Sequence, residues 1–416
     1  MKTLLISLVS DQTLPNVQLI KEFKKEVTDY LFISTEKMEK KGCRLWISKA
    51  AAIDDESCGM FHILVKEFSF DDIAENLGKF DFSIYDKLIL NITGGTKVLT
   101  LAAHDYFKQL EADIYYVTGF NNEFIKIFPD RFKQINHFSS KITIAEYLYS
   151  YGFDFKLSEK SKIDEEYTNQ LYHSFLENRL ADFTEELNFL RSKRSGGVKS
   201  ISNAKTNVSR FLESIGYKPI ETDRLSPYET KYLTGDWLDE YVGNKIKKEL
   251  FLSSDELLVG VTLSKDKGKE PLNDVQKLLG EGVRLSGTGP DNEIDVMFIY
   301  KNEFYTIECK TSIINRVENG MQPDGTRKFK ESNILGETIY KVDYLKNRFG
   351  LKAKSVILTL TSFNHYVTEP GNPVERNNRT KQMEDLINRC NFSDIRLIDR
   401  NRLMSTDKLA SLIISR

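Results

Sequence analysis

Three charged residues in the second half of the chain could act together on a phosphate ester. Asp295 begins one predicted strand, and Glu308 and Lys310 end the next. A carboxylate buried without a partner is strongly destabilised or takes up a proton, so two acids and a lysine at one end of a hairpin require a partner. A divalent cation is such a partner, because Mg²⁺ and Mn²⁺ prefer carboxylate oxygens. With Lys310 beside a phosphate oxygen, the pattern predicts metal-assisted phosphodiester cleavage.

A predicted β-hairpin within residues 287–313 would position these groups. Apolar and β-branched residues dominate its two strands, residues 294–300 and 304–310, and a polar turn at 301–303 separates them. Because side chains alternate along a strand, Glu308 and Lys310 point to one face. The alternative is an exposed hairpin whose charges meet water, since charged residues make up 29% of the chain. The apolar flanks and the sequence GTGPDNEIDV at the start favour the catalytic interpretation.

The first third of the chain predicts a parallel sheet covered by helices. Strand-like runs at residues 3–9, 44–47, 62–66 and 87–92 alternate with helical patterns, as in a Rossmann-like domain. Helical periodicity in the first helix extends to Leu31. In such sheets, ligands bind beyond the carboxyl ends of the strands, where the segments 10–16 and 93–97 would lie.

The second of these segments, Thr93-Gly94-Gly95-Thr96-Lys97, has chemistry that suits a phosphate. Its glycines allow close approach of the backbone, and a helix would begin with free N–H groups beside a hydroxyl and an ammonium. The spacing matches neither the Walker A loop nor the dinucleotide fingerprint. A strand-to-helix turn at the two glycines, with a threonine as N-cap, explains the residues equally well.

Other parts of the chain offer weaker candidates. Residues 142–226 are predicted to be helical, and a basic segment at 191–205 could contact phosphates or could be a solvated linker. A helix at 234–246 carries Asp239 and Glu240 beside its apolar face, and an exposed, salt-bridging role explains these acids as well as a role at a metal site does. Lys341, on a predicted helix after the hairpin, could assist at the same site.

Composition narrows the protein class. The length of 416 residues predicts two or three domains, and the sequence has no apolar run of about 18 residues, so no membrane span is expected. The four cysteines are widely separated, which is typical of a reduced, cytoplasmic protein rather than of a zinc site or a disulfide framework. With a net charge of −2, any nucleic-acid partner must be bound by local basic patches.

Two resemblances to known families sharpen these expectations. Asp295 followed by Glu308-Cys309-Lys310 resembles the PD-(D/E)xK signature of restriction-endonuclease-like nucleases. That resemblance implies Asp295, Glu308 and the backbone carbonyl of Cys309 as metal ligands for Mn²⁺ or Mg²⁺, with Glu240 as a further acid. The TGGTK segment, together with Ser10-Asp11-Gln12 after the first strand, resembles the CARF domain of CRISPR-associated proteins.

The combined resemblance is to the ancillary nucleases of type III CRISPR systems. It implies an α/β fold: a CARF domain with a parallel sheet at residues 1–140, a helical connector at 141–225 and a restriction-endonuclease-like domain at 226–416. It also implies a homodimer that binds a cyclic oligoadenylate, often cyclic tetra-adenylate, since a two-fold symmetric ligand suits an isologous dimer. The pocket for this ligand would be lined by Ser10, Asp11, Gln12, Thr93, Gly94, Gly95, Thr96 and Lys97.

The resulting expectation is an allosterically activated, metal-dependent nuclease in antiviral defence. With no base-reading motif in the sequence, cleavage of single-stranded DNA and RNA should show little sequence preference. Two alternatives remain open: a ligand-sensing regulator that binds DNA without cutting it, and a ring nuclease that degrades its own cyclic nucleotide in the CARF pocket.

Overall fold

The structure is a computed structural model that describes residues 1–53, 58–119, 121–129, 134–157, 165–177, 183–202, 208–265, 293–321, 327–368 and 373–415. The part of the predicted hairpin stretch before residue 293 lies outside these residues, as does Lys205 of the basic segment.

The N-terminal domain is a mixed sheet covered by helices. Its elements are β1 (Thr3–Leu8), α1 (Leu14–Phe23), β2 (Asp29–Ser34), α2 (Glu36–Lys41), α3 (Cys43–Ala50), β3 (Gly59–Leu64), α4 (Phe70–Gly78), β4 (Lys87–Asn91), α5 (Lys97–Gln109), β5 (Asp113–Val117), β6 (Glu123–Phe128) and β7 (Gln134–His137). The strand order is β3-β2-β1-β4-β5-β6-β7. The first five strands in this order, β3, β2, β1, β4 and β5, pair in parallel, whereas β6 and β7 pair antiparallel at one edge.

Two predictions in this domain were wrong for the same reason. Residues 44–47 lie in helix α3, where Cys43, Ile47 and Ala50 are buried at helical spacing. The strand lies earlier, at β2, whose six residues are all buried, including Leu31. A short apolar run fits a buried strand and a buried helix turn equally well, so periodicity alone assigned both segments incorrectly.

The middle of the chain supplies helices and two strands. Its elements are α6 (Ile144–Ser150), β8 (Phe153–Leu157), α7 (Glu165–Leu176), α8 (Thr184–Ser192), α9 (Val208–Ser214), α10 (Pro227–Lys231), a π-helix (Tyr232–Asp236), α11 (Trp237–Leu250) and β9 (Leu257–Lys265). The strand β8 falls in the segment expected to be helical, and it pairs antiparallel with β9 at the edge of the second sheet.

The C-terminal part completes that second sheet. Its elements are β10 (Glu293–Tyr300), β11 (Glu303–Lys310), β12 (Ile314–Met321), β13 (Arg327–Asn333), α12 (Leu335–Lys346), β14 (Lys354–Thr359), α13 (Phe363–Thr368), α14 (Pro373–Phe392), β15 (Ile395–Ile398), α15 (Arg400–Met404) and α16 (Leu409–Ile414). The strand order is β15-β14-β11-β10-β9-β8, and β12 pairs with β13 in a separate ribbon. The predicted hairpin is confirmed, with a two-residue turn in which Lys301 and Asn302 have φ of 53° and 57°.

The two sheets share one hydrophobic cluster. Leu5 and Ile20 of the N-terminal domain belong to the same buried cluster as Met297, Phe304 and Phe349 of the second sheet. Helix α6 lies between them, and its Tyr147 ring stacks on Phe304 with centroids 4.1 Å apart. Each fully buried side chain of this kind stabilises the fold by about 1.5–3 kcal/mol. The domains are therefore joined by a core rather than by an open linker.

The opposite face of the second sheet is covered by α7, α8, α9 and α11. Their buried side chains, such as Phe211 and Trp237, pack in one cluster with Val296 and Tyr305 of the hairpin. Among the described helices, none combines the length and the hydropathy that a bilayer crossing requires.

A glycine sets the distance between α11 and the sheet. Gly243 is buried, and a Cβ added there would lie 2.5 Å from Cγ2 of Val259 on β9. We expect Gly243→Ala to destabilise the protein by about 1–2 kcal/mol, because overpacking costs about 1–3 kcal/mol and the gain in helix propensity is at most about 1 kcal/mol. Thermal or urea unfolding of the full chain measures the change.

The matched control is Gly336→Ala in α12, where the nearest atom to the new Cβ is Cδ2 of Leu386 at 3.6 Å, an ordinary contact. This variant should be as stable as the parent protein. Equal stability of both variants would contradict the close packing of α11 on β9.

Candidate active site and ligand pocket

The hairpin brings Asp295 of β10 to the end of β11, where Glu308 and Lys310 lie. The last pair in the register joins Val296 of β10 to Ile307 of β11, so Asp295 and Glu308 follow side by side. The Oδ2 atom of Asp295 accepts a hydrogen bond from the backbone N–H of Cys309 at 2.8 Å. Nζ of Lys310 lies 3.7 Å from the same oxygen. The predicted trio Asp295, Glu308 and Lys310 is therefore gathered at one point of the sheet.

Glu308 is the most enclosed member of this group. Its side chain is only 5% exposed, and Nζ of Lys310 donates to Oε1 at 2.6 Å. Lys341, which α12 carries over the same point, donates to both carboxylate oxygens at 3.0 Å. A buried carboxylate thus has two ammonium partners from different elements, which offsets its desolvation.

The charges shift one another's pKa values in opposite directions. Burial raises the pKa of Glu308, and the carboxylate of Asp295 adds to the rise, while Lys310 and Lys341 oppose it. Burial lowers the pKa of Lys310, but Asp295 and Glu308 outweigh it, so the pKa lies above its usual value. Lys310 is therefore a fixed positive charge at neutral pH and a stabiliser of anionic oxygens.

The third acid near the hairpin is Asp239 rather than the selected Glu240. Asp239 is buried in the first turn of α11, and its carboxylate, a carboxylate oxygen of Asp295 and Sγ of Cys309 lie within 4.8 Å of one another. Glu240 points elsewhere, towards Tyr232 and Tyr228, whose pKa values burial and the Glu240 carboxylate raise. Neighbouring helix residues point about 100° apart, so only one of the two acids can face the sheet.

The donor set fits a hard divalent cation. Two oxygens bound to one Mg²⁺ at about 2.1 Å lie at most about 4.2 Å apart, so the Asp239 and Asp295 carboxylates need little or no movement to share an ion. Asp239, Asp295 and Glu308 bring three carboxylates to this part of the sheet, where Lys310 and Lys341 pair with Asp295 and Glu308. Burial raises the pKa of the Cys309 thiol, and the carboxylates of Asp239 and Asp295 add to the effect. A hard cation prefers the carboxylate oxygens beside this sulfur. The Cys309 carbonyl oxygen does face the group, since Nζ of Lys310 lies 3.3 Å from it.

The loops predicted to bind a ligand also meet. β1 and β4 are neighbours, and the chain leaves them towards opposite edges of the sheet, so the strand order reverses between them. Ligands of open α/β sheets bind at such a point. Gly94 packs against the end of β1, where a Cβ would overlap the carbonyl oxygen of Leu8 and come within 3.2 Å of Oγ of Ser10. Only glycine allows this contact.

Two buried asparagines, which sequence reasoning missed, hold the loops together. Asn91 donates to Oδ1 of Asn16 at 2.7 Å, and Asn16 donates to the carbonyl of Leu8 at 3.0 Å. Oδ1 of Asn91 accepts from the N–H of Thr93 at 3.0 Å and from its hydroxyl at 2.6 Å. The sequence did contain an indication of this role, because both asparagines are polar residues next to apolar segments at the edge of the sheet where ligands bind.

The remaining predicted pocket residues differ in their surroundings. Thr96 is the N-cap of α5, and its hydroxyl also donates to the carbonyl of Glu67 at 2.8 Å, whereas Lys97 is exposed. Asp11 pairs with Lys41 at 2.5 Å. Oε1 of Gln12 accepts from the backbone N–H of Leu351, in the second domain, at 3.2 Å. Gly95, with φ of 84°, completes the turn.

Comparison with known proteins agrees with this architecture. Residues 4–147 match the family described as the Card1 CARF domain. Two solved structures are similar along nearly the whole chain. Can2 from Sulfobacillus thermosulfidooxidans in complex with cyclic tetra-adenylate has a TM-score of 0.67 at 19% identity, covering 99% of this chain and 100% of that chain. Protein VC1899 from Vibrio cholerae has a TM-score of 0.66 at 17% identity, covering 97% and 95%.

These likenesses establish the fold. The predicted α/β class is confirmed, with a Rossmann-like CARF domain followed by a second, sheet-containing domain. Among curated proteins, none matches the chain significantly.

A metal-binding measurement separates the two candidate acids on α11. We expect Asp239→Asn to weaken Mn²⁺ binding by about 10–100-fold, a range reached even by outer-shell partners of metal ligands. Glu240→Gln, one residue away and with the same change in charge, should bind Mn²⁺ as the parent protein does. Isothermal titration of the full chain, without nucleic acid, provides the affinities. Equal affinity in Asp239→Asn and the parent protein would remove Asp239 from the site.

Proposed function

We propose that the chain is a metal-dependent nuclease that a cyclic oligoadenylate activates, acting on single-stranded DNA and RNA in type III CRISPR defence. The observation that carries the proposal is the convergence of Asp295, Glu308 and Lys310 on adjacent strands, with Asp239 beside them. Acids and a lysine in this geometry suit phosphodiester hydrolysis better than a purely structural role, because a structural ion pair needs no third carboxylate.

The residues would divide the work as follows. Asp295, Asp239 and Glu308, with the Cys309 carbonyl, would hold Mg²⁺ or Mn²⁺, which supplies positive charge to a phosphate oxygen and activates water for attack. Lys310 would donate to a non-bridging oxygen of the scissile phosphate, where negative charge grows in the transition state. Lys341 would keep the buried Glu308 ionised and correctly oriented. None of these groups reads a base, so substrate choice would depend on the sugar-phosphate backbone.

The activating ligand would bind in the N-terminal pocket. The pocket lies at the switch point of a CARF domain, and Can2, which has a similar fold, was solved with cyclic tetra-adenylate. The backbone of the Thr93–Lys97 turn and the exposed Lys97 would contact phosphates. A ligand with two-fold symmetry would be shared by two such loops in a homodimer. Leu101, on the helix that begins at this turn, is 58% exposed and would be covered by the partner.

A direct contact supports communication between the pocket and the acids. Gln12 accepts from the N–H of Leu351, and Tyr147 donates to the carbonyl of Phe349 at 2.7 Å. These residues follow the end of α12, the helix that carries Lys341 to Glu308. Movement of the Ser10–Gln12 loop on ligand binding would therefore reposition Lys341 through α12.

A cleavage assay tests the nuclease proposal. The full chain is mixed with Mn²⁺ and labelled single-stranded DNA or RNA, with and without cyclic tetra-adenylate. We expect cleavage that depends on both additions and falls by about 10²–10³-fold or more in Glu308→Gln and Lys310→Met, the loss typical of removing transition-state stabilisation. The control is Glu75→Gln, whose side chain is 73% exposed on α4.

Other results of this assay would point elsewhere. Full activity in Glu308→Gln contradicts the proposed active site, and equal cleavage without the cyclic nucleotide contradicts activation. Binding of DNA without cleavage in Mn²⁺ favours a regulator. Loss of the cyclic nucleotide that requires Lys97 but not Glu308 favours a ring nuclease.

The coupling route has its own test at Gly350, which has φ of 81° and lies against the Tyr151 hydroxyl and Gln12. We expect Gly350→Ala to lower the stimulation by cyclic tetra-adenylate by about 5–150-fold, the range of typical coupling energies. Gly216→Ala is the matched control, since Gly216 also has a positive φ of 66°, but the nearest described atom to a Cβ added there is Oε1 of Gln170, at 3.9 Å. Unchanged stimulation in a folded Gly350→Ala protein would contradict this route.

A further inference from the structure

The basic segment after α8 remains without an assigned role. Between Asn188 and Ser200 the chain carries four cationic residues and no acid: Arg191, Lys193, Arg194 and Lys199. The helix α8 ends at Ser192, and its C-terminal end packs against the π-helix that precedes α11. The segment therefore lies beside the π-helix that leads into α11, the helix that carries Asp239.

Two arginines of this segment are held close together. Arg191 is partly buried, and its guanidinium donates to Oδ1 of Asn188 at 2.9 Å. Among the described residues, no carboxylate forms an ion pair with it. Burial lowers the pKa of Arg191, and the nearby Arg194 lowers it further. The C-terminus of a helix supplies only about half a negative charge, so it compensates the Arg191 guanidinium less fully than a carboxylate would.

Arg194 points towards the active site. Its Nη2 lies 2.9 Å from Oδ1 of Asp236, and the two side chains are 46% and 28% exposed. Asp236 precedes Asp239 by three residues, a spacing that brings helix side chains to within about 5–6 Å at Cβ. On the other side, the hydroxyl of Thr311, next to Lys310, lies 3.4 Å from the carbonyl of Thr234. Arg194 is thus linked through Asp236 to the start of α11, one helix turn before Asp239.

We propose that Arg191 and Arg194 form a phosphate-binding subsite that holds the backbone of a nucleic-acid strand next to the catalytic carboxylates. This inference rests on the proposed function, because it identifies where that substrate binds. A guanidinium group can donate two parallel hydrogen bonds to two oxygens of one phosphate, and it remains charged when it is partly buried. The carboxylate of Asp236 holds Arg194 until a phosphate replaces it. Lys193 and Lys199 extend the same positive surface along the strand.

Binding without cleavage provides the test. The full chain is titrated with a labelled single-stranded oligonucleotide in buffer with a chelator, over a range of salt concentrations, and the dissociation constant is followed by fluorescence anisotropy. We expect Arg194→Ala and Arg191→Gln to weaken binding by about three- to tenfold at low salt, equally for different sequences, and each to reduce the salt slope by about 0.7. Arg194 is exposed, so its variant keeps the test valid if Arg191→Gln unfolds.

Matched variants separate the subsite from general charge effects. Lys37→Ala and Lys79→Ala remove exposed positive charges from the N-terminal domain and should leave the slope unchanged. Asp236→Asn, which frees Arg194, should strengthen binding, whereas Asp105→Asn, at a site 75% exposed on α5, should not.

The outcomes distinguish this inference from the proposed function. If the parent protein cleaves the strand but the arginine variants bind with unchanged affinity and slope, the subsite is wrong and the nuclease stands. If the variants lose binding but the parent protein does not cleave with Mn²⁺ and cyclic tetra-adenylate, the subsite stands and the nuclease is wrong. A parent protein that does not bind the strand at all overturns the subsite.

Discussion

The burial of Glu308 is the constraint on which the second domain depends. A carboxylate only 5% exposed has to be compensated, and its two ammonium partners come from the same strand and from α12. Removing one partner of such a buried pair costs about 3–5 kcal/mol, comparable to a large share of the stability of a domain. The position of α12 over the sheet is therefore fixed by charge as well as by its buried apolar face, and α12 cannot shift without altering Glu308.

That rigidity matters because the two sheets are not independent. Phe349, just after α12, is fully buried in the cluster that also contains Leu5 of β1. Interfaces between domains of one chain are commonly polar and permit relative motion. Here a shared apolar core makes sliding costly, so under the proposed function a change in the loop after β1 would be transmitted to α12 rather than absorbed between the domains. The Gln12 contact to Leu351 lies at the rim of that core.

The sequence predicted the elements whose chemistry is local. The hairpin, the TGGTK turn and the approach of Asp295 to Glu308 follow from alternation, turn residues and the antiparallel register. Features that depend on packing were missed. The sequence pattern predicted a strand where helix α3 lies and extended a helix into the residues of strand β2. It also predicted helix where β8 pairs with β9 in the second sheet. Glu240 was selected, but Asp239 is the acid that faces Asp295. The rotation of α11 about its axis is set by the π-helix before it and by contact of Gly243 with β9, which no local pattern encodes.

Charge explains why the proposed nuclease site would need more than its proposed catalytic residues. Three clustered carboxylates repel the phosphates they would cleave, and a net charge of −2 provides no long-range attraction to offset this. At physiological salt, charges are screened over about 8 Å, so only cations within roughly that distance of the acids can hold a strand there. In the proposed mechanism, Lys310 and a bound metal would supply positive charge at the scissile phosphate itself. The next phosphate along the strand would require its own partner, and Arg191 and Arg194 are candidates, because Arg194 pairs with Asp236 directly before the helix that carries Asp239.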